Sequence, residues 1–141
     1  MIFVTRPTRA TFSPYHLIFR RAVIEILLID NDEYSLLLIS DFLSVNNFQV
    51  LTVNNGHIGL QIARERQPNL IICELDLPKQ NGYEVLRKLR SEPSTASIPI
   101  WFISFEADLA TRHRALQQGA DGYFTKPVNL NELLSAIIER F

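Results

Sequence analysis

Oxygen-bearing side chains at Asp30, Asn31, Asp32, Glu74, Asp76 and Ser104, with the ammonium of Lys126, are the groups whose types and spacing could do chemistry together. Each follows a short apolar run. If those runs are parallel strands, the residues meet at the rim beyond the strands' carboxyl ends, where open α/β sheets bind ligands. Such a cluster suits a hard divalent cation and a phosphoryl group. Magnesium takes oxygen ligands in near-octahedral geometry with few from the protein, a lysine neutralises one phosphoryl oxygen, and a hydroxyl hydrogen-bonds another. Hydrolytic chemistry of the serine-histidine or cysteine-histidine kind is not expected, since no such pair falls at a strand end. His16, His57 and His113 lie far apart and read as solvated or structural.

The elements that must position this rim alternate in type. Residues 24–29, 49–53, 70–73, 98–103 and 122–125 are short runs, mostly continuous in apolar character, as strands covered on both faces require. Residues 33–45, 57–66, 83–90 and 107–118 carry apolar side chains at helical spacing, and 130–141 closes the chain. Asn129 three residues before Glu132 forms a capping pattern, Gly119 suits a helix stop, and Asn55-Gly56 marks a turn. A right-handed (βα)5 series closes into an α/β, doubly wound, five-stranded parallel sheet of order 2-1-3-4-5 with helices on both faces. Asp32 reads as the cap of the first helix, Cys73 as buried, and Trp101 as core.

With 141 residues, 47% hydrophobic and 21% charged, the chain suits one globular domain. A net charge of -1 gives no global field to attract nucleic acid or an anionic membrane, so neither is an expected partner. The single cysteine, Cys73, cannot form an internal disulfide, which fits a cytoplasmic location. The longest apolar run is far below the roughly 18–20 residues that span a bilayer. Residues 1–22 stand apart, with Arg6, Arg9, Arg20 and Arg21 and no acid. They read as a basic N-terminal extension, irregular except for a short helix near residues 13–21, or as a docking arm. Alternatively, the translated start lies at Val23. Residues 23–141 form the domain.

Four segments resemble the receiver domains of bacterial response regulators, in order and at matching spacing. They are Ile26-Leu27-Leu28-Ile29-Asp30-Asn31-Asp32, the stretch from Pro68 through Glu74-Leu75-Asp76-Leu77-Pro78 to Asn81-Gly82, Ile98-Pro99 through Ser104, and Gly119-Ala120-Asp121-Gly122-Tyr123-Phe124-Thr125-Lys126-Pro127. The resemblance implies a flavodoxin-like fold and a role in two-component signalling. It aligns Glu74 with the aspartate that accepts a phosphoryl group, and Asp30 and Asn31 with an acidic pair that binds magnesium. Asp76 aligns with a position that gives the metal a backbone carbonyl. Ser104 and Lys126 align with the hydroxyl and lysine that hold phosphoryl oxygens, and Tyr123 with the aromatic that swings inward on activation, coupled to Ser104.

Glu74 and Asn31 depart from that pattern. Replacing three carboxylates by Asp30, Asn31 and Glu74 changes the formal charge with Lys126 from about -2 to about -1, and a unit charge at about 4 Å is worth roughly 4 kcal/mol at a surface-like dielectric. Magnesium affinity is therefore expected to be weakened. The extra methylene of Glu74 pushes its carboxylate outward by a bond of about 1.5 Å, and a displacement on the order of 1 Å can cost about a hundredfold in transfer. The expectation is loss of acceptor function. Glu74 then either sets a fixed negative charge near Lys126 and Ser104 that imitates the phosphorylated state, or abolishes switching. Phe105, where the family usually has a small residue, is expected to restrict access. Output is expected through contacts with a sensor kinase, a downstream effector or a second copy, on a face around Asp108, Arg112, Asp121 and Tyr123. The alternatives are an ordinary phosphoacceptor and a small-ligand or metal-sensing flavodoxin-like domain.

Overall fold

Five runs of four or five residues pair in parallel in a computed structural model that describes residues 23–141. They are β1 (Glu25–Ile29), β2 (Gln49–Val53), β3 (Leu70–Glu74), β4 (Ile100–Ser104) and β5 (Gly122–Thr125). Between and after them run α1 (Glu33–Val45), α2 (Gly56–Arg66), α3 (Gly82–Ser91), α4 (Leu109–Gln117) and α5 (Leu130–Arg140). The sheet order is β2-β1-β3-β4-β5, as the βα alternation predicts. The extension and its expected helix lie outside the described residues.

Alternation along the strands explains why they are mostly apolar. Leu27, Ile29, Ile71, Cys73, Ile100, Phe102 and Tyr123 point to one face and pack on α2, α3 and α4 through Leu60, Ala63, Val85, Leu86, Leu89 and Ala115. Their neighbours Ile26, Leu28, Leu70, Ile72, Trp101 and Ile103 face α1 and α5 through Ile39, Leu43, Leu133 and Ile137. Both faces are covered, so neither set is polar. Cys73 and Trp101 are buried, as expected.

Element edges differ from the sequence expectation where backbone chemistry decides them. β4 starts at Ile100 instead of residue 98 because Pro99 has no N–H to give a ladder; its carbonyl still accepts from Ile71 at 2.9 Å. α4 starts at Leu109 instead of residue 107 because the Asp108 side chain caps it, accepting from the Thr111 N–H at 3.0 Å. Asn55 is likewise a cap for α2. Asn81 and Glu84 form a reciprocal capping box at α3. Gly119, with φ of 113°, takes the left-handed turn after α4.

Register then aligns the rim. Ile29 pairs with Val53 and with Cys73, Glu74 with Ile103, and Ser104 with Thr125. The residues after each strand therefore converge at one end of the sheet. The loop after β3 is seated by Gly82, whose N–H donates to the Leu75 carbonyl at 2.8 Å. A Cβ there would stand 2.8 Å from the Phe102 ring and 3.1 Å from the Glu74 carbonyl oxygen, so only glycine lets the chain pass this close.

Candidate functional site

Lys126 reaches the rim because the end of β5 is fastened to β4, the Lys126 N–H donating to the Ser104 carbonyl at 2.7 Å. Its side chain is almost wholly buried, and its Nζ contacts Glu74 Oε1 and lies 2.7 Å from Asp30 Oδ2. The other oxygen of each carboxylate takes a backbone N–H: Asp32 donates to Asp30 Oδ1 at 3.0 Å, and Asp76 donates to Glu74 Oε2 at 3.1 Å. Asp30, Glu74 and Lys126 thus form one buried ion cluster with both acids on a single cation. Asp30 Oδ2 is held by ion pairing alone, without hydrogen-bond geometry.

The charge balance shows in proton affinity. Burial pushes the Glu74 carboxyl above its usual value, with the Lys126 and Asp76 hydrogen bonds opposing and Asp30 adding to it. For Lys126, burial pulls downward, but the Asp30 and Glu74 carboxylates outweigh it and hold the ammonium above its usual value. Two acids sharing one cation account for both directions. Burial, reinforced by Glu74 and Asp30, raises the Cys73 thiol, which makes it a core residue and not a nucleophile.

Asn31 is exposed and outside the ion cluster. Asp32 caps α1, accepting from Tyr34 N–H at 3.1 Å and the Ser35 hydroxyl at 3.0 Å; the Ser35 bond is the largest influence holding its carboxyl below the usual range. Phe105 is 68% exposed, and its ring centroid lies 5.3 Å from Lys126 Nζ, a cation–π contact over the mouth of the cluster.

Ser104 does not meet Glu74. Its hydroxyl donates to Asp76 Oδ2 at 2.9 Å, because both Glu74 oxygens are already engaged and the Asp76 carboxylate is the acceptor within reach. Asp76 therefore acts here through its side chain, where the expectation was of its backbone carbonyl. Ser104 Oγ also accepts from Glu106 N–H at 3.0 Å, and the Glu106 carbonyl accepts from Tyr123 Oη at 2.6 Å. Glu106 was invisible to sequence reasoning because it acts through its main chain.

Two residues expected on an exposed partner face are not free there. Tyr123 is 4% exposed, since its strand position points it into the core beneath α4. Asp121 precedes β5, at the opposite end of the sheet from the rim, where it pairs with Arg90 at 2.9 Å and accepts from Ile100 N–H at 3.0 Å. Asp108 is committed to capping α4, while Arg112 is exposed and donates to the Tyr123 carbonyl at 3.4 Å. His57 and His113 are exposed, and His16 lies outside the described residues.

Magnesium, which receiver domains typically bind at the phosphorylation site, does not fit these side chains as they stand. The Lys126 ammonium sits on both carboxylates, Asp76 is given to Ser104, and among the described residues no three acid, histidine or cysteine side chains converge on a metal position.

The sheet order and the strand-end rim define a doubly wound α/β domain of the CheY-like fold. Residues 26–138 match the response regulator receiver domain family, and the chain belongs to that family. It is similar to the transcriptional regulatory protein GltR of Pseudomonas aeruginosa, 36% identical over 79% of this chain and 46% of GltR. It is also similar to protein PilH of the same organism, 29% identical over 79% of this chain and 93% of PilH. The chain spans about half the length of several curated relatives it matches. A crystal structure of a response regulator from Desulfuromonas acetoxidans superposes with a TM-score of 0.75 at 32% identity, covering 83% of this chain and 94% of that one. The chain thus carries a receiver domain of two-component signalling; receiver domains are in general non-enzymatic modules that interact with histidine kinases and effectors. No helix among the described residues is long and apolar enough to cross a membrane.

Proposed function

We propose that this receiver domain signals through protein contacts without phosphorylation of an aspartate, Glu74 standing in the acceptor position. The observation that carries the reading is the commitment of both Glu74 oxygens, one to the Lys126 ammonium and one to the Asp76 N–H. A nucleophile must present a lone pair in line with the phosphorus, and whichever Glu74 oxygen does so has a partner beside it that must be accommodated or displaced. Magnesium binding is weakened in this reading, because a divalent ion has to displace Lys126 from Asp30. Tyr123, turned inward and hydrogen-bonded, supports an on-like setting over simple loss of the switch. The partner is a sensor kinase, a downstream effector or a second copy, and the exposed Arg112 beside β5 is part of the contact face. The cleft beside Lys126 is about 130 Å³, below the roughly 300 Å³ of ordinary small-molecule sites, which weighs against ligand sensing.

The test is treatment of the chain with a small phosphodonor and magnesium, followed by intact mass measurement. No phosphoryl adduct is expected. A stable addition of one phosphoryl group at Glu74 or Asp76 would overturn the reading and make the domain an ordinary acceptor.

A further inference from the structure

We infer that Asp76 is a positioning residue that holds Tyr123 in its inward setting, its carboxylate fixing the Ser104 hydroxyl, so that the setting is maintained by an acid of the chain itself. This rests on the reading that no phosphoryl group is added at Glu74.

A serine hydroxyl has one proton to give and two lone pairs. The Ser104 proton goes to Asp76 Oδ2 at 2.9 Å, and its lone pair accepts the Glu106 N–H at 3.0 Å. Ser104 is fully buried, so water does not replace a lost partner cheaply. With the rotor fixed at the Asp76 end, the loop after β4 is fixed at Glu106. The next link is the Glu106 carbonyl, which takes the Tyr123 phenol at 2.6 Å. Burial raises that phenol, and the Ser104 hydroxyl opposes the rise. Asp76 is exposed to solvent on its outer side, yet its bond to Ser104 is charge-assisted and so stronger than a neutral one. Glu74 does not serve in its place, since its free oxygen is spent on the Asp76 N–H. Glu74 and Asp76 therefore divide the work: the first anchors Lys126, the second sets the serine and, through Glu106, the tyrosine.

The alternative is that packing alone holds Tyr123, and chemical protection of the ring separates the two. The full chain and the variants Asp76→Ala, Asp76→Asn, Ser104→Ala and Asp76→Ala/Ser104→Ala are treated with tetranitromethane, and nitration is mapped by peptide mass. The exposed Tyr34 serves as internal reference, and thermal denaturation checks that each variant is folded. Asp76→Ala is expected to raise the Tyr123-to-Tyr34 nitration ratio about tenfold, equivalent to ~1.4 kcal/mol. Ser104→Ala, which also loses the Glu106 N–H bond, should raise it at least as far, and the double variant should add nothing to Ser104→Ala, because Asp76 acts only through that hydroxyl. Asp76→Asn, which keeps an oxygen acceptor without the charge, should fall between. A wild-type ratio in folded Asp76→Ala, or a double variant that sums the singles, overturns the inference. If Asp76→Ala does not fold, Ser104→Ala deletes the same bond from its other end, and a wild-type ratio there overturns it equally. Phosphodonor labelling of the wild type is scored separately: an adduct sinks the proposed function, while the nitration ratio alone judges Asp76.

Discussion

Replacing Lys126 by methionine keeps the length and apolar stem of the side chain and removes its charge, leaving Asp30 and Glu74 facing each other without a cation. Side-chain exposure of the three groups is 3%, 0% and 6% for Lys126, Asp30 and Glu74, so solvent screens little of the loss. Removing one partner of a buried ion pair costs about 3–5 kcal/mol. With a urea dependence of roughly 2 kcal/mol/M, a loss of about 4 kcal/mol lowers the unfolding midpoint by ~2 M. The deficit should also depend on pH. Glu74 already has a raised folded-state pKa from burial, and loss of Lys126 raises it further. A raised carboxyl pKa gives stability that is fully present below the unfolded-state pKa and lost as pH rises through the folded-state value. Lys126→Met should therefore be most damaging at neutral pH and less so at mildly acidic pH, the direction that favours protonated Glu74. Adding Glu74→Gln should recover part of the loss near pH 7. Urea unfolding at both pH values, read by Trp101 fluorescence, makes the measurement. A loss below about 1 kcal/mol, the same at both pH values, would refute the claim that the cluster is a buried, ionised unit.

Glu74→Asp together with Asn31→Asp should regain a mass adduct with phosphodonor and magnesium that the wild type lacks. If even the double variant stays inert, Phe105 over the Lys126 ammonium becomes the obstacle to remove next. Gly82→Ala forces a Cβ to 2.8 Å from the Phe102 ring and 3.0 Å from the Leu75 Cα; a loss of about 1–3 kcal/mol is expected in urea unfolding. Asp32→Ala removes the α1 cap and should cost about 1 kcal/mol, with faster amide exchange confined to residues at the start of α1.

The fold was legible in the sequence because its pattern is redundant. Every strand is apolar on both faces, every helix has caps, and five βα repeats admit few topologies. Strand ends blurred only where a single backbone group decides, as at Pro99. Within the site, strand-end position was enough to select Asp30, Glu74, Asp76, Ser104 and Lys126, since order and register bring those positions together. Which oxygen takes which donor was not legible. Ser104 stands equally near two acids in a sequence reading, and only the occupancy of Glu74 by Lys126 and the Asp76 N–H leaves Asp76 as its acceptor. One residue of the expected partner face shows the same limit. Asp121 is bound to Arg90, 31 residues away on α3, and nothing local announces that pairing.

As Asp30 does with Lys126 and the Asp32 N–H, Glu74 meets the ammonium of Lys126 at one oxygen and accepts the Asp76 N–H at the other. That second bond ties the acid on β3 to the loop after it, and the same residue's carboxylate ties the loop to Ser104. A phosphoryl group would have to enter between Lys126 and Ser104 and compete with partners that are covalently part of the chain and present at all times. Tethered partners act at high effective concentration, so they hold the site occupied without a donor, a metal or a turnover step. In the proposed reading, glutamate at this one position shifts control from a transferable group to fixed side chains, and regulation lies with what binds the surface those side chains set.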